Sequence, residues 1–218
     1  SYKLEYYGGE PIQRPLLENG DFRSEECIEI LKNVDIVVTN PPFSLFREYV
    51  AQLIEYGNKF IIIGSDNAIT YKEIFKQIKA NNLWLGYNSP KKFYTTKEST
   101  SDIKSFGNIS WYTNLTVNKS IKDLMLTKSY YGNEQDYPKY DNYDAINVDK
   151  LKDIPIDYFG IMGVPITYMK WHNIEEKPLF KLVGSNRGVD QDPNGVYGRG
   201  SYLNGKETFK RLFIQRIK

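Results

Sequence analysis

Four consecutive residues, Asn40-Pro41-Pro42-Phe43, carry the most specific chemistry in this 218-residue chain. Two adjacent prolines fix φ and remove two backbone donors, so the turn they build presents carbonyl oxygens. Asn40 adds a side-chain carbonyl. Asn40 Oδ1 and the Pro41 carbonyl then form a pair of acceptors suited to an NH₂ group, and the Phe43 ring offers a face on which a flat substrate can stack. An exocyclic amine on a nucleobase is a poor nucleophile, because its lone pair is delocalised into the ring. Two acceptors gripping its hydrogens favour the pyramidal, nucleophilic form and hold it in line with an electrophile. No general base with a shifted pKa is required. The same tetrapeptide also suits a plain helix start, with Asn as N-cap and proline in the first turn.

The elements around this turn are legible. Asp35-Ile36-Val37-Val38-Thr39 is a β-branched apolar run of the kind found in buried parallel strands. Ser44 to Tyr56 places Leu45, Phe46, Tyr49, Val50, Leu53 and Ile54 on one face and Arg47, Glu48, Gln52 and Glu55 on the other, which predicts an amphipathic helix ended by Gly57. Lys59-Phe60-Ile61-Ile62-Ile63-Gly64 reads as a second buried strand. Thr70 and Glu73 have capping-box spacing before a helix carrying Ile74, Phe75 and Ile78. Leu83 to Tyr87 and the stretch Ser105 to Leu115 are strand-like, and Glu25 and Glu26 favour the start of a helix carrying Ile28 and Leu31. Alternating strands and helices at this spacing predict a doubly wound α/β sheet, in which ligands bind beyond the carboxyl ends of the strands. The Asn40 turn lies at such an end.

Beyond about residue 116 the pattern changes. Tyr, Asn, Asp and Lys dominate from Ser129 to Asp144, and residues 184 to 205 contain six glycines, a loop signal. The tail from Phe209 to Ile217 fits either a helix, through Phe209, Phe213 and Ile217, or a strand, through Leu212 and Ile214. No internal repeat is visible in the sequence.

Composition narrows the classes. Forty per cent apolar and 26% charged residues exclude wholesale disorder. One Cys and one His exclude a disulfide framework and a thiolate–imidazole zinc site. No apolar run approaches a membrane span and no signal peptide opens the chain, so the expected location is cytoplasmic. From Tyr168 onward ten Lys/Arg stand against five Asp/Glu, a net of about +5, which leaves about −3 for the rest. A basic, aromatic-rich C-terminal part suits a nucleic-acid surface, because phosphates attract cations and unstacked bases attract π-faces. A solvated face without a partner has the same composition.

The run Val37 to Ser44 resembles the amine-methylating signature of S-adenosylmethionine-dependent methyltransferases. The wider chain is similar to the EcoRI-type adenine-specific DNA methyltransferases: Gly20-Asp21-Phe22-Arg23-Ser24, Asn40 through Glu48, Asn67 through Glu73, Trp111-Tyr112-Thr113-Asn114-Leu115 and Met162 through Thr167 occur in family order over nearly the whole chain. The resemblance implies a Rossmann-like methyltransferase sheet over residues 1–115 and a C-terminal target-recognition region over 116–218. It implies that Asp21 accepts from the amino group of the cofactor's adenine, with Phe22 against that ring. Asn40 and Pro41 would grip N6 of a target adenine, Pro42 would hold the turn and Phe43 would stack on the base. Since N6 cannot be reached in this way inside a duplex, base flipping follows. Trp111 or Tyr112 is the candidate second stacking face, with a core aromatic as the equal alternative. Arg187, Arg199, Lys206, Lys210 and Arg211 are the candidate DNA contacts. The cofactor and partner that the resemblance implies are S-adenosylmethionine and double-stranded DNA, with no metal.

The sequence departs from the family pattern at one end. Residues 1–20 supply neither the first strand nor the turn expected to hold the cofactor's amino-acid end, so the sheet is expected to be N-terminally incomplete. Glu5 is the weak candidate for the acidic residue at the cofactor ribose. Two rivals remain at this level: methylation of an RNA or protein amine, and a DNA-binding fragment without catalysis.

Overall fold

The computed structural model describes residues 1–86, 88–94, 103–116, 125–172, 179–186 and 200–217. The chain opens on an antiparallel hairpin, β1 (Tyr2–Glu5) with β2 (Ile12–Pro15), followed by helix α1 (Glu25–Lys32). Ser24 caps α1 by accepting from the Cys27 amide, and Glu25 and Glu26 sit in its first turn, as their affinity for a helix N-terminus requires.

The first sheet contains β3 (Ile36–Thr39), β4 (Lys59–Ser65), β5 (Trp84–Leu85) and β8 (Ile109–Thr113) in the order β3-β4-β8-β5. β3 and β4 are parallel, joined through α2 (Phe46–Glu55); β8 is antiparallel to both β4 and β5. β3, β4 and β5 therefore run in one direction, as strand–helix alternation predicts, and β8 is inserted against them. Phe60, Ile62 and Ile63 of β4 are buried, because neighbouring strands flank it on both edges and side chains cover both faces. β3 differs from the expected buried strand. It pairs only with β4 among the described residues, and Ile36 and Val38 are 50% and 67% exposed.

Helix α2 buries Phe46, Val50 and Leu53, the face its spacing predicts, and Gly57 ends it at φ +70°. Helix α3 (Lys72–Lys79) buries Ile74, Phe75 and Ile78. The predicted capping box before α3 does not form. Thr70 belongs to a 3-10 turn over Asp66–Thr70 and donates its hydroxyl to the Asn67 carbonyl; this turn puts Tyr71, not Thr70, at the cap position of α3, where no side chain bonds.

Between β5 and β8 lies the hairpin β6 (Lys92–Tyr94) with β7 (Ile103–Ser105). The second sheet contains β9 (Ile146–Asn147), β10 (Ile161–Pro165), β11 (Phe180–Ser185) and β14 (Arg211–Arg216), with the hairpin β12 (Tyr202–Leu203) and β13 (Lys206–Glu207) inserted before β14. Its order is β9-β10-β14-β11, with β9 parallel to β10 and β14 antiparallel to both β10 and β11. Both sheets thus have the same connectivity: a parallel pair, a third strand laid on the far side, a hairpin excursion, and a fourth strand inserted between the second and third. A 3-10 turn follows the second strand in each, Asp66–Thr70 after β4 and Ile166–Lys170 after β10. The repetition is invisible in the sequence because packing conserves topology with few identities.

The ambiguous tail is strand β14. Leu212, Phe213 and Ile214 are all buried between β10 and β11, whereas Phe209 and Ile217, which a helix would have put on its apolar face, are exposed. One core runs through both sheets, from Phe46, Phe60 and Tyr112 to Ile146, Met162 and Ile214. Further ties cross between them: Lys170 reaches Asp66 at 3.7 Å, and Ser185 donates to the Thr70 carbonyl at 3.3 Å.

Gly64 shows how tightly the first sheet is packed. A Cβ there would lie 2.6 Å from the Phe46 ring and 2.8 Å from the Tyr112 ring. Gly64→Ala is therefore expected to cost about 1–3 kcal/mol through overpacking. A urea melt reads this; an unchanged midpoint would show that the rings can retreat.

Candidate functional site

The Asn40 turn is built by its neighbours. β3 ends at Thr39, Pro41 is buried, and a 3-10 turn over Phe43–Leu45 leads into α2. Neither that turn nor α2 has a side-chain cap, their cap residues being Pro42 and Leu45. Asn40 is exposed and does not serve as N-cap, so the plain helix-start reading of its side chain fails. The Pro42 carbonyl accepts from the Leu45 amide at 3.0 Å, whereas the Pro41 carbonyl accepts from no backbone amide among the described residues. Phe43 is 43% exposed. At the carboxyl end of β3 the Asn40 side chain and the Phe43 ring are therefore open to solvent, and the Pro41 carbonyl beside them has no backbone donor among the described residues. The following residue pair explains the rigidity: Phe46 is buried edge-on against Tyr112, ring centroids 5.0 Å apart, which locks the first turn of α2 to the centre of the sheet.

Asp21 occupies a turn after Gly20, which stands at φ +79° where L side chains are strained. Its carboxylate is gripped by Arg23: the Arg23 amide and Nε donate to Oδ1 at 2.9 Å each, and a terminal guanidinium nitrogen donates to Oδ2 at 2.7 Å. These bonds hold the Asp21 pKa down at about 2. Arg23 also reaches Glu48 in the first turn of α2 at 3.3 Å. Phe22 packs edge-on against Tyr49 at 4.9 Å, lies under the Arg23 guanidinium, and accepts at its carbonyl from Gln52. Helix α2 thus ties the Asp21-Phe22 turn to the segment that starts with Asn40. Sequence reasoning did not single out Arg23, although its place two residues after Asp21 is the spacing at which an Asx turn and a bidentate pair close together.

That pair has a pH signature. Asp21 is depressed from 3.8 to about 2 in the folded chain, so whatever it contributes is complete above about pH 4 and is lost as the pH falls through about 2. Arg23→Gln is expected to return the Asp21 titration toward 3.8, read by carboxyl-carbon NMR. A titration that stays near 2 would mean that the turn's backbone amides, not the guanidinium, set it.

The other predicted positions scatter. Tyr112 is fully buried and donates to the Ser65 carbonyl at 2.7 Å, so it is a core aromatic; Trp111, its neighbour on β8, is half-buried on the opposite face. Thr113 donates to the Phe60 carbonyl, and Asn114 both accepts from the Phe60 amide and donates to the Asn58 carbonyl, fixing β8 beside β4. Glu5 is engaged by Lys3 and Arg14 within the N-terminal hairpin. Lys206 is exposed on β13. Arg187 and Arg199 lie outside the described residues. Arg211, expected as a surface DNA contact, is buried instead: Nε donates to Asn147 Oδ1 and a terminal nitrogen to Asp149 Oδ1, each at 3.2 Å, because β14 runs between two strands and its first residue faces the end of β9. Among the described residues no cluster of three His, Cys, Asp or Glu side chains could hold a metal, and no helix is long and apolar enough to cross a membrane.

Comparison with known proteins bears on this geometry. Residues 8–216 match the family described as Adenine-specific methyltransferase EcoRI. The Type II methyltransferase M.EcoRI of Escherichia coli is 49% identical over 209 residues, an alignment covering 89% of this chain and 63% of that protein. Type II methyltransferase M.MpnI of Mycoplasma pneumoniae is 37% identical over 238 residues (99% of this chain, 75% of the relative), and M.MgeORF184P of Mycoplasma genitalium is 41% identical over 236 (98% and 74%). The chain thus spans under two thirds of the length of the Escherichia coli relative. No solved structure matches it.

Proposed function

The chain belongs to the EcoRI adenine-specific methyltransferase family, and on that premise we propose that it acts in transfer of a methyl group from S-adenosylmethionine to N6 of a flipped adenine in a specific DNA sequence, in the manner of a restriction–modification enzyme. The observation that carries the reading is the exposed Asn40 side chain, next to a Pro41 carbonyl that accepts from no backbone amide among the described residues and beside the half-exposed Phe43 ring. The two N6 hydrogens would each be accepted by one of these oxygens. The amine lone pair is then drawn out of conjugation and aimed away from the turn, and Phe43 holds the ring plane. Transfer would break the bond from the methyl carbon to the sulfonium sulfur, leaving a neutral thioether, and would make N6 cationic; the two acceptors would stabilise that charge until a proton leaves to water. No covalent enzyme intermediate is needed.

The Asp21 turn fits the purine end of the cofactor. A carboxylate offers about four acceptor positions, Arg23 uses three, and the remaining one on Oδ2 suits an exocyclic amine, with Phe22 as the apolar wall. S-adenosylmethionine bound there would supply an electrophilic methyl group; Asp21, Phe22 and Asn40 are the residues of this chain that would orient it. In this reading residues 1–115 form one flank of a Rossmann-like sheet, whose other flank would pair along the β3 edge and cover Ile36 and Val38. Residues 116–218, with Arg187, Arg199 and Lys206, would face the DNA, and Trp111 is the candidate for a second stacking face. The protein would act in the cytoplasm.

Calorimetric titration of the 218-residue chain with S-adenosylhomocysteine, followed by mapping of N6-methyladenine in DNA exposed to chain and cofactor, tests the reading. Binding, with methylation confined to one sequence, is the expected result. One observation favours a second reading, a DNA-binding polypeptide without catalysis: both Asp21 oxygens are already held by Arg23. DNA binding with no cofactor binding would establish that reading instead.

A further inference from the structure

The shared connectivity of the two sheets makes the end of β9 the counterpart of the Asn40 turn. There the second sheet has Asn147-Val148-Asp149 in place of the proline turn, and its polar groups are bound to Arg211. An open cavity of 730 Å³ lies at this end, lined by Asp149, Ile166, Phe209, Lys210 and Arg211 of the second half and by Asn67 from the turn after β4. It is of the size that holds a nucleotide-sized ligand, and it sits beyond the carboxyl ends of the parallel strands of its sheet.

Its most telling member is Phe209. The ring is 86% exposed, so it contributes little to the core. Its backbone is nonetheless fixed: Asn186 donates from Nδ2 to the Phe209 carbonyl at 3.4 Å and accepts at Oδ1 from the Arg211 amide at 3.0 Å. A large aromatic presented to solvent on a clamped backbone is preorganised for stacking. Cations stand beside it. Lys210, which lines the cavity together with Glu207, has its Nζ 5.9 Å from the Tyr71 ring, and the Arg47 guanidinium lies 5.7 Å from the same ring and 3.8 Å from Glu73. Asn67, the buried Arg211 and the exposed Asp149 supply donors and acceptors along its wall.

We infer that this cavity takes a second unstacked base of the DNA, distinct from the adenine at the Asn40 turn, with Phe209 stacked on its face and Lys210 and Arg47 near the adjoining phosphates. The inference rests on the DNA reading above, and goes beyond it in assigning a second base site. Asp149 and Arg211, joined to one another, present an acceptor and a donor side by side, which matches a base edge better than it matches a phosphate.

The test uses the whole chain and short single-stranded hexamers carrying 5-iododeoxyuridine, with binding followed by anisotropy and photocrosslinks mapped by mass spectrometry. Phe209→Ala is expected to weaken hexamer binding about tenfold or more and Phe209→Trp to retain it, from the usual worth of one base–aromatic stack. Asn40→Ala should leave the Phe209 crosslink in place. Because the ring is exposed, Phe209→Ala should melt like the parent, which separates lost stacking from lost folding. Hexamer binding that is indifferent to Phe209→Ala, with crosslinks elsewhere, overturns the second site and leaves the DNA reading standing. Absence of any hexamer or duplex binding by the parent chain overturns both.

Discussion

Asn40→Ala is expected to lower methyl transfer by about 10²–10³-fold while leaving the unfolding midpoint unchanged. The size follows from removing one of two preorganised polar groups aimed at a charge that develops only in the transition state. The silence in stability follows from the structure: Asn40 is exposed and neither the 3-10 turn nor α2 uses it as a cap. The measurement is single-turnover methyl transfer to DNA, beside a urea melt of the same preparation. Asn40→Asp separates the roles further, because a carboxylate still accepts from the amine but adds a charge next to a forming cation. A loss of stability in Asn40→Ala matching the loss of rate would make Asn40 a structural residue, and retention of full rate would remove the acceptor pair from the mechanism.

Phe46→Ala is expected to have the largest effect on stability, about 3–5 kcal/mol for deletion of a fully buried aromatic. Phe46 is 2% exposed, packs edge-on against Tyr112, and lies against the Gly64 backbone where even a Cβ would not fit. It is also the first residue of α2, immediately after the turn that carries Asn40 and Phe43. Loss of this ring should therefore loosen the turn before it unfolds the sheet. Amide exchange at Leu45 and Phe46, whose N–H groups bond within the turn, measures the loosening, and urea melts measure the loss of global stability. Phe46→Leu, which keeps most of the apolar volume, is expected to recover the greater part of the stability. A melt within 1 kcal/mol of the parent would mean that the core repacks around the gap.

On the proposed reading, these two residues divide function from framework within one short segment. The motifs that mark the family are not all chemical. In Trp111-Tyr112-Thr113-Asn114-Leu115, Tyr112 is core, and Thr113 and Asn114 bond to β4 and its approach, so the stretch sets strand register. In Asn67 through Glu73, Ala68, Ile69 and Thr70 are buried where the two sheets meet, Asn67 lines the cavity, and the Tyr71 ring lies 5.9 Å from Lys210 Nζ. Arg23 is the reverse case, an unremarked surface residue that holds Asp21 and reaches α2.

The sequence by itself determined the local elements and the chemical turn. Three-and-a-half-residue spacing put Phe46, Val50 and Leu53 on one face of α2, β-branched runs made β3 and β4, and consecutive prolines after Asn40 dictated an acceptor-rich bend, because these effects act over a few residues. Only the tertiary structure decided the rest. It turned the tail into β14, since two neighbouring strands offered Leu212, Phe213 and Ile214 more burial than a helix surface could. It drew Arg211 inward to Asp149, left β3 with one edge unpaired among the described residues, and built both sheets on one connectivity that residue identities conceal. Pairing between strands far apart in the chain depends on which surfaces meet, and that is a property of the folded whole.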